Sequence, residues 1–339
     1  MSVPLNSRFN VGKIPYEILE KIVYSRLGFQ DKNIVVKPGV GIDASVIRLG
    51  DGFIALACDP ITAATEKAGW LSVHINANDV ACVGAKPKYF MPTILLPEGS
   101  RHVDLEEVMD DMDLAAKELE VSIVAGHTEV TPSVNQPVIA GGIVGVGLGS
   151  EPVLSSGCRE GDIIVMTKYA GLEGTSVIAH EYYDKLREIV GEEILVRAMS
   201  LMDMVSIVRE AVAAYRHGAS AMHDPTEGGV ITGLYELCVA SNAEIEVNLD
   251  EIPLMEETIA ICKAVKIDPY KLLGSGALLV SIRADRFQSL KYEFEKMGIK
   301  YSIIGRVLKN GKCSLRVYRR GREVKYEFPF PDAIYSVRV

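Results

Sequence analysis

The sequence predicts an α+β protein of two domains. Three observations carry this. The first half reads β-β-α-β-α-β-β, an order in which helices cover one face of a sheet. A polar, glycine-containing stretch, Gly149 to Gly161, then interrupts the pattern. Finally, 339 residues exceed the length of about 250–300 at which a single core stops growing. The two domains are therefore placed at residues 1–154 and 155–339.

Taken in order, Pro15 to Leu27 reads as a helix, with proline at its start and Gly28 just past its end. Ser45 to Leu49 and Phe53 to Cys58 read as strands joined by a Gly50-Asp51-Gly52 turn. Glu66 to Val83 is helical by periodicity and stops at Gly84 and Pro87; Tyr89 to Leu95 is a strand and Leu105 to Leu119 an amphipathic helix. Val121 to Ala125 and Val138 to Leu148 complete the first half as strands. The second half opens on the strand Ile163 to Thr167. Helices follow near Thr175 to Tyr182, Leu195 to Tyr215 and Val230 to Ala240, then the strand Ala277 to Ile282, a helix from Arg286 to Met297, and short strands from Tyr301.

Composition narrows the function. A net charge of −9 and a pI near 5.3 argue against nucleic acid as a partner, because affinity for a phosphate backbone is built from clustered Lys and Arg. A small polyphosphate stays open if metal ions supply the neutralising charge. No window approaches the roughly 18 apolar residues of a membrane span, and the first residues carry no signal-peptide core, so a cytoplasmic location is expected. The six cysteines form no Cys-x-x-Cys pair and the six histidines no His-Glu-x-x-His, which removes the commonest zinc readings.

The most informative stretch is Asn76-Ala77-Asn78-Asp79-Val80-Ala81-Cys82-Val83-Gly84-Ala85-Lys86-Pro87, where polar residues sit inside an apolar, small-residue helix and their burial demands compensation. Asn78 either bonds a loop backbone or ligates an ion; Asp79 either pairs with a lysine or does the same. His74 lies one turn before Asn78 on the same face and reads as a core or surface histidine rather than a ligand. Further oxygen donors close apolar runs: Asp43 after Gly39-Val40-Gly41-Ile42, Asp59 after Phe53 to Cys58, and Asp224 in His223-Asp224-Pro225-Thr226-Glu227-Gly228-Gly229. Asp43 and Asp59 sit where a strand starts or stops, and Asp59-Pro60 is also turn-prone. Gly126-His127-Thr128-Glu129 places donors on a tight loop, and Thr226 can cap the helix from Val230. Oxygen donors without clustered Cys or His suit a hard cation such as Mg²⁺ carrying a phosphate. The glycines of Gly39-x-Gly41-x-x-Ala44 precede a strand, not a helix, against a dinucleotide fingerprint, and no P-loop is present. Gly141 to Gly149 alternates like a strand packed closely by another element.

Together these segments resemble the PurM-like ATP-binding superfamily of aminoimidazole ribonucleotide synthetase, selenophosphate synthetase, thiamine-monophosphate kinase and HypE. Gly41-Ile42-Asp43-Ala44-Ser45-Val46-Ile47 is similar to its Gly-Asp-Asp-Ala-Ala-Val-Ile. Asn78 to Pro87 matches its Asn/Ser-Asp-(apolar)-Ala-x-x-Gly-Ala-x-Pro, and Asp224 to Gly229 resembles the Asp-Ala-Thr-Arg-Gly-Gly of HypE, the branch whose overall wording is nearest. The resemblance implies a two-domain PurM-like fold: an N-terminal mixed sheet with helices on one face that dimerises, and a C-terminal α/β sandwich. It implies Mg²⁺ held by Asp43, Asp59, Asn78, Asp79 and Asp224. ATP would be contacted by Gly39, Gly41, Asp43, Asn78, Asp79, Gly126, Thr226, Glu227 and Gly228, with His127, Thr128 and Asp224 in catalytic roles, His127 as general acid or base. The expected partners are a second copy of the chain, a small-molecule or protein-tail substrate and a maturation protein, with neither nucleic acid nor membrane.

The expected activity is activation of an amide- or thioamide-type or small-molecule oxygen by phosphoryl transfer. Alternatives are a kinase of the selenophosphate or thiamine-monophosphate type and a non-catalytic ATP-binding protein. Ile42 stands where the family has its first Asp, and His127 where its loop has Asp. The sequence closes on Tyr335-Ser336-Val337-Arg338-Val339 rather than the reactive HypE cysteine, so reaction on that tail is not expected.

Overall fold

Period-two alternation of buried residues draws most of the first half into one mixed sheet. The computed structural model describes residues 11–62, 64 and 66–338. After a short turn, α1 (Tyr16–Ile18), come β1 (Ile34–Val36), β2 (Ser45–Leu49), β3 (Gly52–Ile61), α2 (Ala68–Cys82), β4 (Ala85–Leu96), α3 (His102–Glu118), β5 (Ser122–Ile123), β6 (His127–Val130) and β7 (Val138–Gly147). The strand order is β1-β2-β3-β7-β4-β5, with β6 also on β4; β5 and β6 run parallel to β4 and the other pairs are antiparallel. Every residue of α2 is buried, because the helix lies on β3, β4 and β7, is covered by α3, and meets the second domain. Glycines on the helix-facing side of β7 make the contact possible: a Cβ at Gly145 would stand 2.9 Å from that of Val80.

The second half contributes β8 (Ile163–Thr167), α4 (Leu172–Glu181), α5 (Tyr183–Val190), α6 (Glu192–Met199), α7 (Val208–Arg216), β9 (Ala221–His223), α8 (Gly229–Ser241), β10 (Ala243–Asn248), α9 (Glu256–Val265), β11 (Leu279–Ile282), α10 (Ala284–Lys296), β12 (Tyr301–Asn310), β13 (Ser314–Arg319) and β14 (Arg322–Val324). Its sheet runs β14-β13-β10-β12-β8-β11-β9, with only β10–β13 parallel among the described pairs. One apolar core crosses between the halves, joining Leu71, Val80 and Ile143 to Val205, Ala211, Met222 and Leu278. Among the described residues no helix is long and apolar enough to cross a membrane.

Several expectations change. The helix from Pro15 is only Tyr16–Ile18, continued as a π-helical turn to Val23. Asp59 does not end a strand: β3 runs on through Pro60 to Ile61, paired with β7 as Asp59↔Gly141 and Pro60↔Ala140. The proline is tolerated because pairing with β2 stops at Leu56, leaving this part of β3 with a free side. His127 to Glu129 form strand β6, not a loop. The long helix from Leu195 breaks after Met199, and the turn at Val205 to Ile207 separates α6 from α7. Strands β9 and β10 and helices α5 and α9 carry no strong signal in the sequence.

Candidate active site

Four aspartates from both halves converge on one cleft. Asp43 comes from the loop before β2, Asp59 from β3, Asp79 from α2 and Asp224 from just past β9, and all four line the same cavity. Asp79 sits where a helix wholly enclosed by protein passes beneath β3, so its carboxyl is removed from water. Burial, then the charges of Asp59, Asp224 and Asp43, push it well above the usual carboxylate range. Burial and Asp43 push Asp224 up to about 8, against the opposing pull of His223. Asp43 and Asp59 are raised too, first by burial. Mutual elevation of these acids, with Asp79 and Asp224 buried and Asp59 open to solvent, means that the folded chain crowds negative charge there.

One orphaned atom sharpens this. Asp224 Oδ2 is buried without a hydrogen-bond partner, while its Oδ1 receives only a weak thiol contact from Cys82 at 3.8 Å. A divalent cation fits the donor set: hard carboxylate oxygens, an unsatisfied lone pair, and repulsion that a positive ion would relieve. Asp43 and Asp224 bring their oxygens close enough to share it, and Asp59 and Asp79 line the same cavity without joining that cluster. His223 also lies close, with ligand-type atoms of Asp43, His223 and Asp224 all within 4.8 Å of one another. Only its Nε2 is hydrogen-bonded. Its Nδ1 stands 2.6 Å from Asp43 Oδ1 and its Nε2 2.9 Å from Glu236 Oε2. Burial opposes a charge on this ring, yet Asp43 and Glu236 together raise it well above its ordinary value.

The chain of contacts continues outward. Glu236 Oε1 accepts from Lys13 Nζ at 3.1 Å and from Tyr16 Oη at 2.8 Å. Despite its burial, Lys13, His223 and Tyr16 hold Glu236 down to about 2. Lys13 thereby comes from the N-terminal segment to the mouth of the cleft, where its backbone N–H also donates to Glu227 Oε1 at 2.9 Å. Sequence reasoning missed Lys13, Tyr16 and Glu236, since no local motif marks residues paired more than two hundred positions apart.

Other assigned residues stand elsewhere. Asn78 does not face the cleft: its Nδ2 donates to Val205 O at 2.9 Å and its Oδ1 accepts from Ile207 N at 2.9 Å, pinning α2 to the turn before α7. Its metal and nucleotide roles are thus replaced by an interdomain clasp. Asn76 similarly serves the free side of β3, accepting from Asp59 N at 2.8 Å and donating to Asp59 O at 3.1 Å. His127 lies on the opposite face of the first sheet. It registers with Thr93, alternate to the helix-facing Pro92 and Ile94, while Asp59 shares the helix-facing row of Gly141 and Pro92. It is exposed and meets Glu129 at 3.2 Å. Thr128 and Gly126 sit on β6 and next to it, three strand spacings or roughly 14 Å from β3. None of the three lines the cleft.

At the start of α8, Thr226 lines the cleft but does not cap the helix, whose N-cap is Gly228 in the left-handed region. The Gly228 N–H is already given to Asp332 Oδ2 at 2.5 Å, so the anion expected there is the protein's own. Gly39 and Gly41 do line the cleft; Gly41 is left-handed, and a Cβ there would meet the Glu236 backbone at 3.0 Å. His74 is buried against Trp70, ring centroids 4.3 Å apart, with both ring nitrogens unpartnered and no carboxylate beside it.

Comparison with known proteins follows this geometry. The AIR synthase related protein models match as N-terminal domain over residues 41–147 and C-terminal domain over 159–318. A hydrogenase expression/formation protein of Methanocaldococcus jannaschii, described as putative, is 26% identical over 339 residues, covering 96% of this chain and 97% of that one. The carbamoyl dehydratase HypE of Cupriavidus necator is 30% identical over 252 residues, 72% of this chain and 68% of its own. Among solved structures, HypE in a HypE–HypF complex superposes with a TM-score of 0.73 at 24% identity, covering 92% and 99% of the two chains. HypE in complex with ATP superposes at 0.70 and 22% identity, covering 94% and 96%. The two-domain fold, the convergent aspartates and these matches agree: the chain belongs to the AIR synthase-related, PurM-like superfamily, among its HypE-like members.

Proposed function

We propose that this chain is a Mg²⁺- and ATP-dependent enzyme of the HypE type, which activates an acceptor oxygen by phosphoryl transfer. The observation that carries the reading is the meeting of Asp43, Asp59, Asp79 and Asp224 in one cleft, with the buried Asp224 Oδ2 left unpartnered. Asp43 and Asp224, with Asp59 and Asp79 in the same cavity, would hold Mg²⁺, which would supply positive charge against that developing in phosphoryl transfer. The chain's own residues do the rest. His223 stands against Asp43 on one side and is fixed by Glu236 on the other, so this part of the ligand set is placed before anything binds. Lys13, tethered through Glu236 and Glu227, brings an ammonium to the cleft mouth, where a phosphate would lie. The left-handed turn at Gly41 lets its loop pack against the Glu236 backbone, which sets Asp43 at the cleft. The relatives named for carbamoyl dehydration and hydrogenase formation, and the HypE solved with HypF, support an amide-type acceptor and a maturation partner protein.

Thermal unfolding with and without Mg·ATP tests this. The wild type should gain about 2.7 kcal/mol at a ligand concentration one hundred times Kd. Asp79→Asn should be more stable than the wild type without ligand, because a repelled buried acid is gone, and should gain nothing from Mg·ATP. An unchanged gain in the variant refutes the site. Binding without ADP release in the presence of any amide acceptor would make the protein a nucleotide-binding module instead.

A further inference from the structure

Beyond the aspartate cleft lies a second cavity of about 320 Å³, which shares Lys13, Asp59 and Thr226 with it. Its far end is formed by Glu173 of α4 and by Ser275, and both are more than nine-tenths buried, at 6% and 1% exposure. Glu173 Oε2 and Ser275 Oγ make no well-formed hydrogen bond, although the two side chains lie beside each other. A buried carboxylate oxygen left unpaired is costly, and native structures retain such a group where a ligand, ion or water completes it. The other acids on the wall are already engaged: Asp332 accepts from Gly228 N and Ile334 N, and Glu227 from Lys13 N. Aliphatic surface from Ile61, Ile75, Leu273 and Ile334 lies between.

We propose that this cavity seats one end of the acceptor, a small organic cation: an alkylammonium or alkylguanidinium group on Glu173 and Ser275, its short aliphatic body against the isoleucines and the amide-type oxygen at its other end. The charge balance decides between classes. Among the described residues, Asp59, Glu173, Glu227 and Asp332 line the cavity against one cation, Lys13, which Glu236 already binds. An anionic acceptor is repelled; a neutral amide can pair with Glu173 but leaves the field uncompensated; a cation satisfies both. Burial, with the nearby charge of Asp332, pushes Glu173 up to about 7 against the pull of Ser275, and a cation seated there would draw it back down. The opposite end of such a ligand would reach the mouth shared with Asp59 and Thr226. This assignment of the pocket as acceptor site rests on the proposed phosphoryl transfer.

The test titrates the full chain with propylammonium, methylguanidinium, propionamide and propionate by calorimetry, with Mg·AMP-PCP binding measured on the same samples. Both cations should bind at least tenfold more tightly than propionamide, and propionate should not bind. Glu173→Gln should weaken the cations tenfold or more while leaving propionamide and Mg·AMP-PCP unchanged; Ser275→Ala, a smaller change, should weaken them in the same direction. Equal cation affinity in wild type and both variants, or preference for propionamide, overturns the assignment while nucleotide binding stands. Cation binding without any Mg·AMP-PCP binding overturns the phosphoryl-transfer reading and leaves the cation pocket.

Discussion

One helical turn separates His74 from Asn78, and burial acts on the two in different ways. His74 finds no partner, so burial, reinforced by the charge of Lys168, pushes it down to about 3. The sign of the consequence is fixed. An unfolded histidine takes up a proton near pH 6.5 while the folded one stays neutral, so stability falls as pH drops from about 6.5 toward 3, by up to about 1.4 kcal/mol per unit. Above 6.5 the group contributes no pH dependence. Urea unfolding of His74→Leu should therefore lose less stability than the wild type between pH 7 and 5.5, by roughly 1 kcal/mol; identical slopes would refute this. At this scale the aspartates were legible, because a carboxylate at the end of an apolar run is chemically conspicuous. Lys13, Glu236 and Glu173 were not, since only their surroundings make them exceptional.

At the scale of elements, α2 carries the argument. A helix of small apolar residues interrupted by Asn76, Asn78 and Asp79 announced burial, and the structure encloses all of it. What periodicity could not show was the division of labour. Asn76 completes the free side of β3, Asn78 clasps the second domain, and only Asp79 enters the cleft. Replacing Asn78 with Ala leaves Val205 O and Ile207 N buried and unpaired, which should cost about 2 kcal/mol or more. Denaturant unfolding should show that loss while a Mg·ATP-dependent gain persists; loss of the gain alone, at wild-type stability, would return Asn78 to the metal. Strand β3 teaches a related lesson. Asp59-Pro60 reads as a strand end, but a proline survives in a strand wherever one side has no neighbour, and that depends on where β2 stops.

For the whole molecule, the helix-free face of the first sheet is the open question of assembly. Three cross-strand rows lie on it: Ile54, Val146 and Lys86; Leu56, Val144 and Tyr89; Cys58, Gly142 and Met91. Tyr89, Met91 and Val146 are exposed there. A largely apolar sheet face of this kind favours a partner sheet. We predict a homodimer through this face: light scattering should give about twice the 36.9 kDa of the chain, and Met91→Glu should halve it. A monomeric wild type would defeat the prediction. His127 lies on this same face, which removes it from the cleft of its own chain.

By itself the sequence determined the α+β class, the two halves, the enclosed helix and the acidic residues that matter, because hydrophobic periodicity and the cost of burying charge act locally. The tertiary structure alone decided which of those residues meet. Sheet register sets the face on which a side chain stands, so Asp59 and His127, both on strands of one sheet, part company. Long-range packing brings Lys13, His223, Glu236 and Glu173 to the cleft and its neighbour, and contacts spanning two hundred residues leave no trace in the spacing of a linear chain.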